Sequence, residues 1–210
     1  VKVNGIIIEK NHFPVDDTDH VETDIEEIAY VSRSALKLKF LQQHSIDIKN
    51  SICLDVGSST GGFTQVLLEY GAKKVYAVDV GTQQLHSSLR ENENIVSMEQ
   101  TDIRSLTRAN FSENIEIIVD VSFVPLAEII DSILACGSEK TKYILLLKPQ
   151  FEVTKSELSS SGVVKDTRIL SRVLADAFAV VSSRVENITS SESMLPGEKG
   201  NREVFLYFQK

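Results

Sequence analysis

From Ser51 onward, short apolar runs bounded by turn residues alternate with segments whose apolar residues recur at helical spacing. The runs are Ser51 to Val56, Val75 to Val80, Ile95 to Glu99, Ile115 to Val121 and Tyr143 to Leu147, with closing strands near Val185 to Ser190 and Glu203 to Gln209. Helices are expected from Gly62 to Tyr70, around Gln83 to Glu91, from Leu126 to Cys136 and from Arg168 to Ser182. Strands separated by helices must cross over before rejoining a sheet, so this order predicts an α/β fold built on a parallel sheet.

With 210 residues, 42% of them hydrophobic, the chain can bury one full core. No apolar run approaches the ~20 residues of a membrane span, and no basic segment followed by an apolar signal core opens the chain, so a cytoplasmic location and no membrane partner are the default expectations. Cys53 and Cys136 lack metal or redox spacing and are expected to be buried thiols. The histidines His12, His20, His44 and His86 have no mutual spacing for a metal, so none is expected. The net charge of −8 is the opposite of the basic footprint of a domain that grips nucleic acid unaided.

Residues 1 to 28 stand apart. Val1 to Ile8 reads as a strand and turn, followed by an acidic stretch with Asp16, Asp17, Asp19, Glu22, Asp24, Glu26 and Glu27. This is too little to fold alone, and it is expected to be the tail of a module plus a linker, with residues 29–210 as the main domain. Ser32 to Leu41 predicts an amphipathic helix with Leu36, Phe40 and Leu41 on its apolar stripe; Lys37 borders that stripe, but periodicity does not distinguish it from Lys39. Phe151 to Thr167, the longest connection, is expected to be a mobile lid or binding loop.

Ligands of open parallel sheets gather beyond the carboxyl ends of the strands, and Asp55-Val-Gly57-Ser-Ser-Thr-Gly61-Gly62 occupies the first such end. Its spacing is neither the dinucleotide fingerprint nor a phosphate loop. Asp79 closes the second strand, where a carboxylate can accept both ribose hydroxyls, and Asp102 after the third is placed to accept from an adenine amino group. S-adenosyl-L-methionine is the leading cofactor and a nicotinamide nucleotide its competitor. Asp120 and Lys148 each end an apolar run, and Pro149 biases Lys148 toward extended backbone. If these strands are neighbours, about 4.8 Å apart, the two side chains meet above the sheet edge. Glu203 opens the last strand after a turn-rich approach.

Tyr30-Val-Ser-Arg33, Cys53-Leu-Asp-Val-Gly57, Ser59-Thr-Gly-Gly-Phe63, Val75 to Gly81, Asp120-Val-Ser-Phe123, Lys148-Pro-Gln-Phe-Glu152, Gly162-Val-Val-Lys-Asp166 and Gly200-Asn-Arg-Glu203 strongly resemble the TlyA, or hemolysin A, family of FtsJ-like methyltransferases, from about Tyr30 to the end. The resemblance implies a Rossmann-like class I methyltransferase fold with a mostly parallel seven-stranded sheet, helices on both faces and an antiparallel final strand. It implies methyl transfer from S-adenosyl-L-methionine to a ribose 2′-hydroxyl, on a cytidine of ribosomal RNA, by a tetrad of Lys37, Asp120, Lys148 and Glu203. Cofactor contacts are then expected from Asp55, Gly57, Ser59, Thr60, Gly61, Gly62, Phe63, Asp79, Asp102 and Asp120, and RNA phosphate contacts from Arg33, Lys155, Lys165 and Arg202. The chain departs from the family pattern at Ser34-Ala35, where Gly-Gly is usual, and at Asp102, where Asn is frequent. Most of the family's N-terminal RNA-binding module is expected to be absent, residues 1–28 being its remnant and linker.

Three other classes compete. A nicotinamide-dependent oxidoreductase would share the sheet but lacks a hydride-transfer constellation. A non-catalytic RNA-binding or ribosome-assembly protein could retain the cofactor pocket. Direct membrane lysis, suggested by the name hemolysin, has no span, basic amphipathic helix or lipid anchor behind it.

Overall fold

Five consecutive residues, Ile52–Val56, are buried and form the strand β4, as expected of a strand covered on both faces. The structure is a computed structural model that describes residues 2–8, 13–22 and 30–210; Val1, His12, Asp24, Glu26, Glu27 and the boundary expected at residues 28 and 29 lie outside the described residues. Ahead of β4, Lys2–Val3 (β1), Ile6–Ile7 (β2) and Val21–Glu22 (β3) pair as a small antiparallel sheet in the order β2-β1-β3.

The main sheet has seven strands. After β4 come Lys74–Val78 (β5), Ile95–Met98 (β6), Ile115–Val119 (β7), Lys142–Leu147 (β8), Thr189–Glu192 (β9) and Val204–Gln209 (β10), arranged β6-β5-β4-β7-β8-β10-β9. The first five run parallel, and β10 is antiparallel to both β8 and β9. Strand order reverses between β4 and β7. There Gly57, in left-handed backbone at φ +85°, approaches so closely that an added Cβ would lie 2.7 Å from the Asp120 carbonyl oxygen.

Alternation along the strands divides the core into two layers. Ile52, Leu54, Val56, Ile117 and Val119 face the helices α4 (Leu126–Cys136) and α5 (Thr167–Ser182), whereas Cys53, Ile118, Ile144 and Phe205 face α2 (Gly62–Glu69) and the helical turns before β4. Cys53 and Cys136 are free and buried, and burial raises both thiols, that of Cys136 to about 11. The Glu152 carboxylate accepts from the Leu126 N–H at 2.9 Å, capping α4 from the segment that follows β8.

Three local expectations change. Arg33–Lys39 is a 3-10 helix that passes into the short α1 (Phe40–Gln43), so Ala35, Leu38 and Leu41 are buried at every third position; Phe40 is buried as well, as expected, while Leu36 is only half-buried. The helix expected around Gln83 to Glu91 contracts to α3 (Ser87–Arg90), because the Glu99 carboxylate takes the N–H groups of Gln83 and Leu85 and holds the preceding segment as a loop. The strand expected at Val185 begins only at Thr189, since the Val185 N–H still bonds to the Val181 carbonyl and Asn187 turns through φ +57°.

Candidate active site

Parallel pairing of β7 and β8 sets Val119 opposite Leu145, and both strands release their chains at the same sheet edge. Lys148 Nζ lies 2.7 Å from Asp120 Oδ1 and also donates to Ser122 Oγ at 3.1 Å. Burial raises the Asp120 carboxyl, Lys148 and Lys37 pull it back, and Glu203 raises it further.

The second pair joins residues 166 positions apart. Lys37 Nζ contacts Glu203 Oε2 at 2.7 Å, with side chains 10% and 2% exposed. The three-residue period of the 3-10 helix turns Lys37 inward and leaves Lys39 exposed. Glu203 is held from the turn before β10: an added Cβ on Gly197 would stand 2.5 Å from Glu203 Oε1, so only glycine leaves room for the carboxylate there. Gln150 Nε2 reaches the same oxygen at 3.5 Å.

Both ion pairs open into one cleft of about 850 Å³, lined also by Gly57, Ser59, Thr60, Phe63, Arg33 and Lys199. Asp79, at the end of β5, accepts from the Ser59 N–H at 2.8 Å and the Gly81 N–H at 2.7 Å, bracing the glycine turn that forms the cleft floor. Other expected contact residues have neighbours or partners within the chain, or stand outside the cleft lining. Asp102 caps the turn Ile103–Ser105 and is engaged by the Arg104 guanidinium, which holds its carboxyl below the ordinary range. Gly61 makes room for Leu85 and Leu89. Gly62 makes room for the hydroxyls of Ser32 and Ser34, so the Ser34-Ala35 departure is packed against it. Lys155 and Lys165 are exposed outside the cleft lining, and Arg202 is bound by both Glu192 oxygens at 2.7 Å.

Asp55 is fully buried beneath the turn. Its Oδ2 accepts from Thr64 Oγ1 at 2.6 Å, its Oδ1 has no hydrogen-bond partner among the described residues, and burial raises the carboxyl to about 7. The folded protein therefore keeps a proton that the unfolded chain loses near its ordinary value, and stability falls as pH rises from about 4 to about 7. Asp55→Asn removes this titration while keeping an acceptor for Thr64. Thermal melts are expected to show the variant gaining on the wild type between pH 5 and pH 8; a gap independent of pH would contradict the buried proton.

One feature of the cleft carried no role in the sequence reading. Phe123 is 89% exposed at the rim, in left-handed backbone at φ +67°, with its ring 4.8 Å from that of Phe151. Such backbone costs a bulky residue about 1–3 kcal/mol, and an aromatic held open in this way offers a stacking face. Its sequence signal is its place in Asp120-Val-Ser-Phe123, an aromatic three residues beyond a strand-end carboxylate.

Comparison with known proteins gives a consistent set. Residues 30–210 match the FtsJ-like methyltransferase family. The chain is 35% identical to Hemolysin A of Brachyspira hyodysenteriae, across 99% of this chain and 88% of that protein. It is 43% identical to the 23S rRNA (cytidine-2′-O)-methyltransferase TlyA of Campylobacter jejuni, across 92% of this chain and 76% of that one. A crystal structure from Lactococcus lactis, provisionally named a hemolysin, superposes with a TM-score of 0.81 at 34% identity, covering 88% of this chain and 90% of the other. Among the described residues no helix is long and apolar enough to cross a membrane.

Proposed function

The chain belongs to the FtsJ-like methyltransferase family, and from that premise we propose that it transfers a methyl group from S-adenosyl-L-methionine to the 2′-hydroxyl of a cytidine in ribosomal RNA. The observation that carries the reading is the meeting of two buried ion pairs, Lys148 with Asp120 and Lys37 with Glu203, in a cleft floored by the glycine turn at the strand-order reversal.

The residues fit the cofactor. Gly57, Ser59, Thr60 and Phe63 line the floor, and Asp79 still has carboxylate lone pairs for ribose hydroxyls. When bound, S-adenosyl-L-methionine supplies a methyl group already activated by its sulfonium. The protein must then align a weakly nucleophilic hydroxyl and manage its proton, which is work for positioning and electrostatics. Lys148 is the group that meets the attacking oxygen, either taking its proton or stabilising the charge that develops on it. Asp120 orients Lys148 at 2.7 Å, and the Lys37–Glu203 pair, close enough to act on the Asp120 carboxyl, adds its charges to the same cleft. Arg33 and Lys199 supply cationic rim positions for phosphate, offsetting locally the net charge of −8, and Phe123 offers its face to an unstacked base.

Incubating the protein with labelled S-adenosyl-L-methionine and each ribosomal subunit tests the reading, and incorporation into RNA is expected. A protein that binds RNA without transferring label would instead be a non-catalytic assembly factor. Asp79→Ala is expected to weaken cofactor binding by about ten- to a hundredfold in calorimetry, since a charged hydrogen-bond acceptor is lost. Equal affinity would remove Asp79 from the cofactor site.

A further inference from the structure

Asn201 is 3% exposed, yet its side chain bonds to none of its sequence neighbours. Its Oδ1 accepts from the Val164 N–H at 3.0 Å and its Nδ2 donates to the Gly162 carbonyl at 3.1 Å, so both ends of the amide are spent on one short backbone stretch 37 and 39 residues away. That stretch is itself a closed turn, with the Gly162 N–H bonded to the Ser159 carbonyl and the Ser159 N–H to the Val163 carbonyl. On the other side, the Asn201 carbonyl accepts from the Gly197 N–H at 2.8 Å, closing the turn whose Gly197 abuts the Glu203 carboxylate. The two turns and the residues that flank them bring Leu158, Gly162, Pro196, Lys199, Glu203 and Asn201 itself to the lining of the cleft.

We propose that Asn201 is a positioning residue for methyl transfer: its side-chain amide clasps the Ser159–Val164 turn to the Pro196–Asn201 turn and thereby sets Glu203 against Lys37. The inference rests on the methyltransferase reading and deepens it. The clasp needs an acceptor and a donor on one short planar group, and Asn supplies both. Aspartate has the same shape, but when ionised it turns an oxygen toward the Gly162 carbonyl; when protonated it regains a donor. Burial and the facing carbonyl hold such a carboxyl above its ordinary range.

This gives the test a signature that lost packing alone does not produce. Asn201→Asp is expected to transfer methyl about ten- to a hundredfold more slowly than the wild type at pH 8.5, with the deficit in kcat rather than in cofactor affinity, and the ratio of the two rates is expected to close toward one as pH is lowered to 6. Asn201→Leu, which cannot regain the donor, should show a deficit that does not close. A ratio for Asn201→Asp that is constant across this range, or equal to one throughout, would overturn the proposal. Amide hydrogen exchange judges the clasp without any turnover: protection of the Val164 amide is expected to fall at least about tenfold in Asn201→Leu, which removes the acceptor of that N–H. Unchanged protection there would overturn the clasp even if methyl transfer itself were established. Lost protection alongside an inert wild type would retain the clasp and reject the methyltransferase reading.

Discussion

Lys148→Ala is expected to reduce methyl transfer by about a thousandfold or more while leaving the calorimetric affinity for S-adenosyl-L-methionine within about twofold of wild type. The separation follows from placement: Lys148 projects from the end of β8 onto Asp120 and Ser122, whereas the half of the cleft proposed for the cofactor is the glycine turn that Asp79 braces. Unchanged turnover would remove Lys148 from the chemistry. Lys148→Arg then separates its two possible duties, because a guanidinium does not give up its proton in a protein. Measurable turnover in that variant assigns electrostatic stabilisation; its complete loss, with cofactor binding intact, assigns proton acceptance. The alanine variant also strands a buried carboxylate. Asp120 is already raised by burial and loses the cation that most opposes this, so its folded-state value moves further above the unfolded one. Stability lost this way is absent where Asp120 is protonated in both states and grows as pH rises through the folded-state value, so the deficit in melting temperature should be larger at pH 8 than at pH 5.

Glu203→Ala is expected to cost about 3–5 kcal/mol of folding stability, the penalty for leaving one member of a buried ion pair uncompensated. Glu203 is 2% exposed and Lys37 10%, so water cannot readily replace the lost carboxylate. Replacing both partners, as in Lys37→Met with Glu203→Leu, is expected to restore most of that stability, since apolar groups of similar size avoid the desolvation cost. Turnover should stay lost in the double variant. Denaturant melts and methyl-transfer rates on the wild type and these two variants separate the two contributions; restored activity in the apolar pair would reduce Lys37 and Glu203 to scaffolding.

The parts of this site that were readable from the chain are those where one element dictates one position. Asp120 and Lys148 each end an apolar run, so their meeting was legible on the one condition that their strands are neighbours, which β7 and β8 are. The Leu126–Cys136 helix was readable because its apolar residues recur cleanly at helical spacing. Lys37 was not separable from Lys39, because the 3.6-residue period assumed for Ser32 to Leu41 is replaced by a three-residue period against α2. Its pairing with Glu203 could be reached only through family resemblance, because nothing local signals a contact across 166 residues. The glycine turn stands out in the chain as a candidate ligand loop, but the packing of its glycines depends on tertiary neighbours: Asp120 for Gly57, leucines for Gly61, serine hydroxyls for Gly62. Asp102 reads identically in sequence whether it faces a ligand or Arg104. Phe123 became conspicuous only through its exposure and backbone geometry.

The most direct test of the account is the position of the transferred label. Ribosomal RNA treated with the protein and S-adenosyl-L-methionine carrying a deuterated methyl group, digested to nucleosides and analysed by mass spectrometry, should yield cytidine labelled on its ribose. Label on a base, or label that persists at the wild-type level after Lys148→Ala, would contradict it.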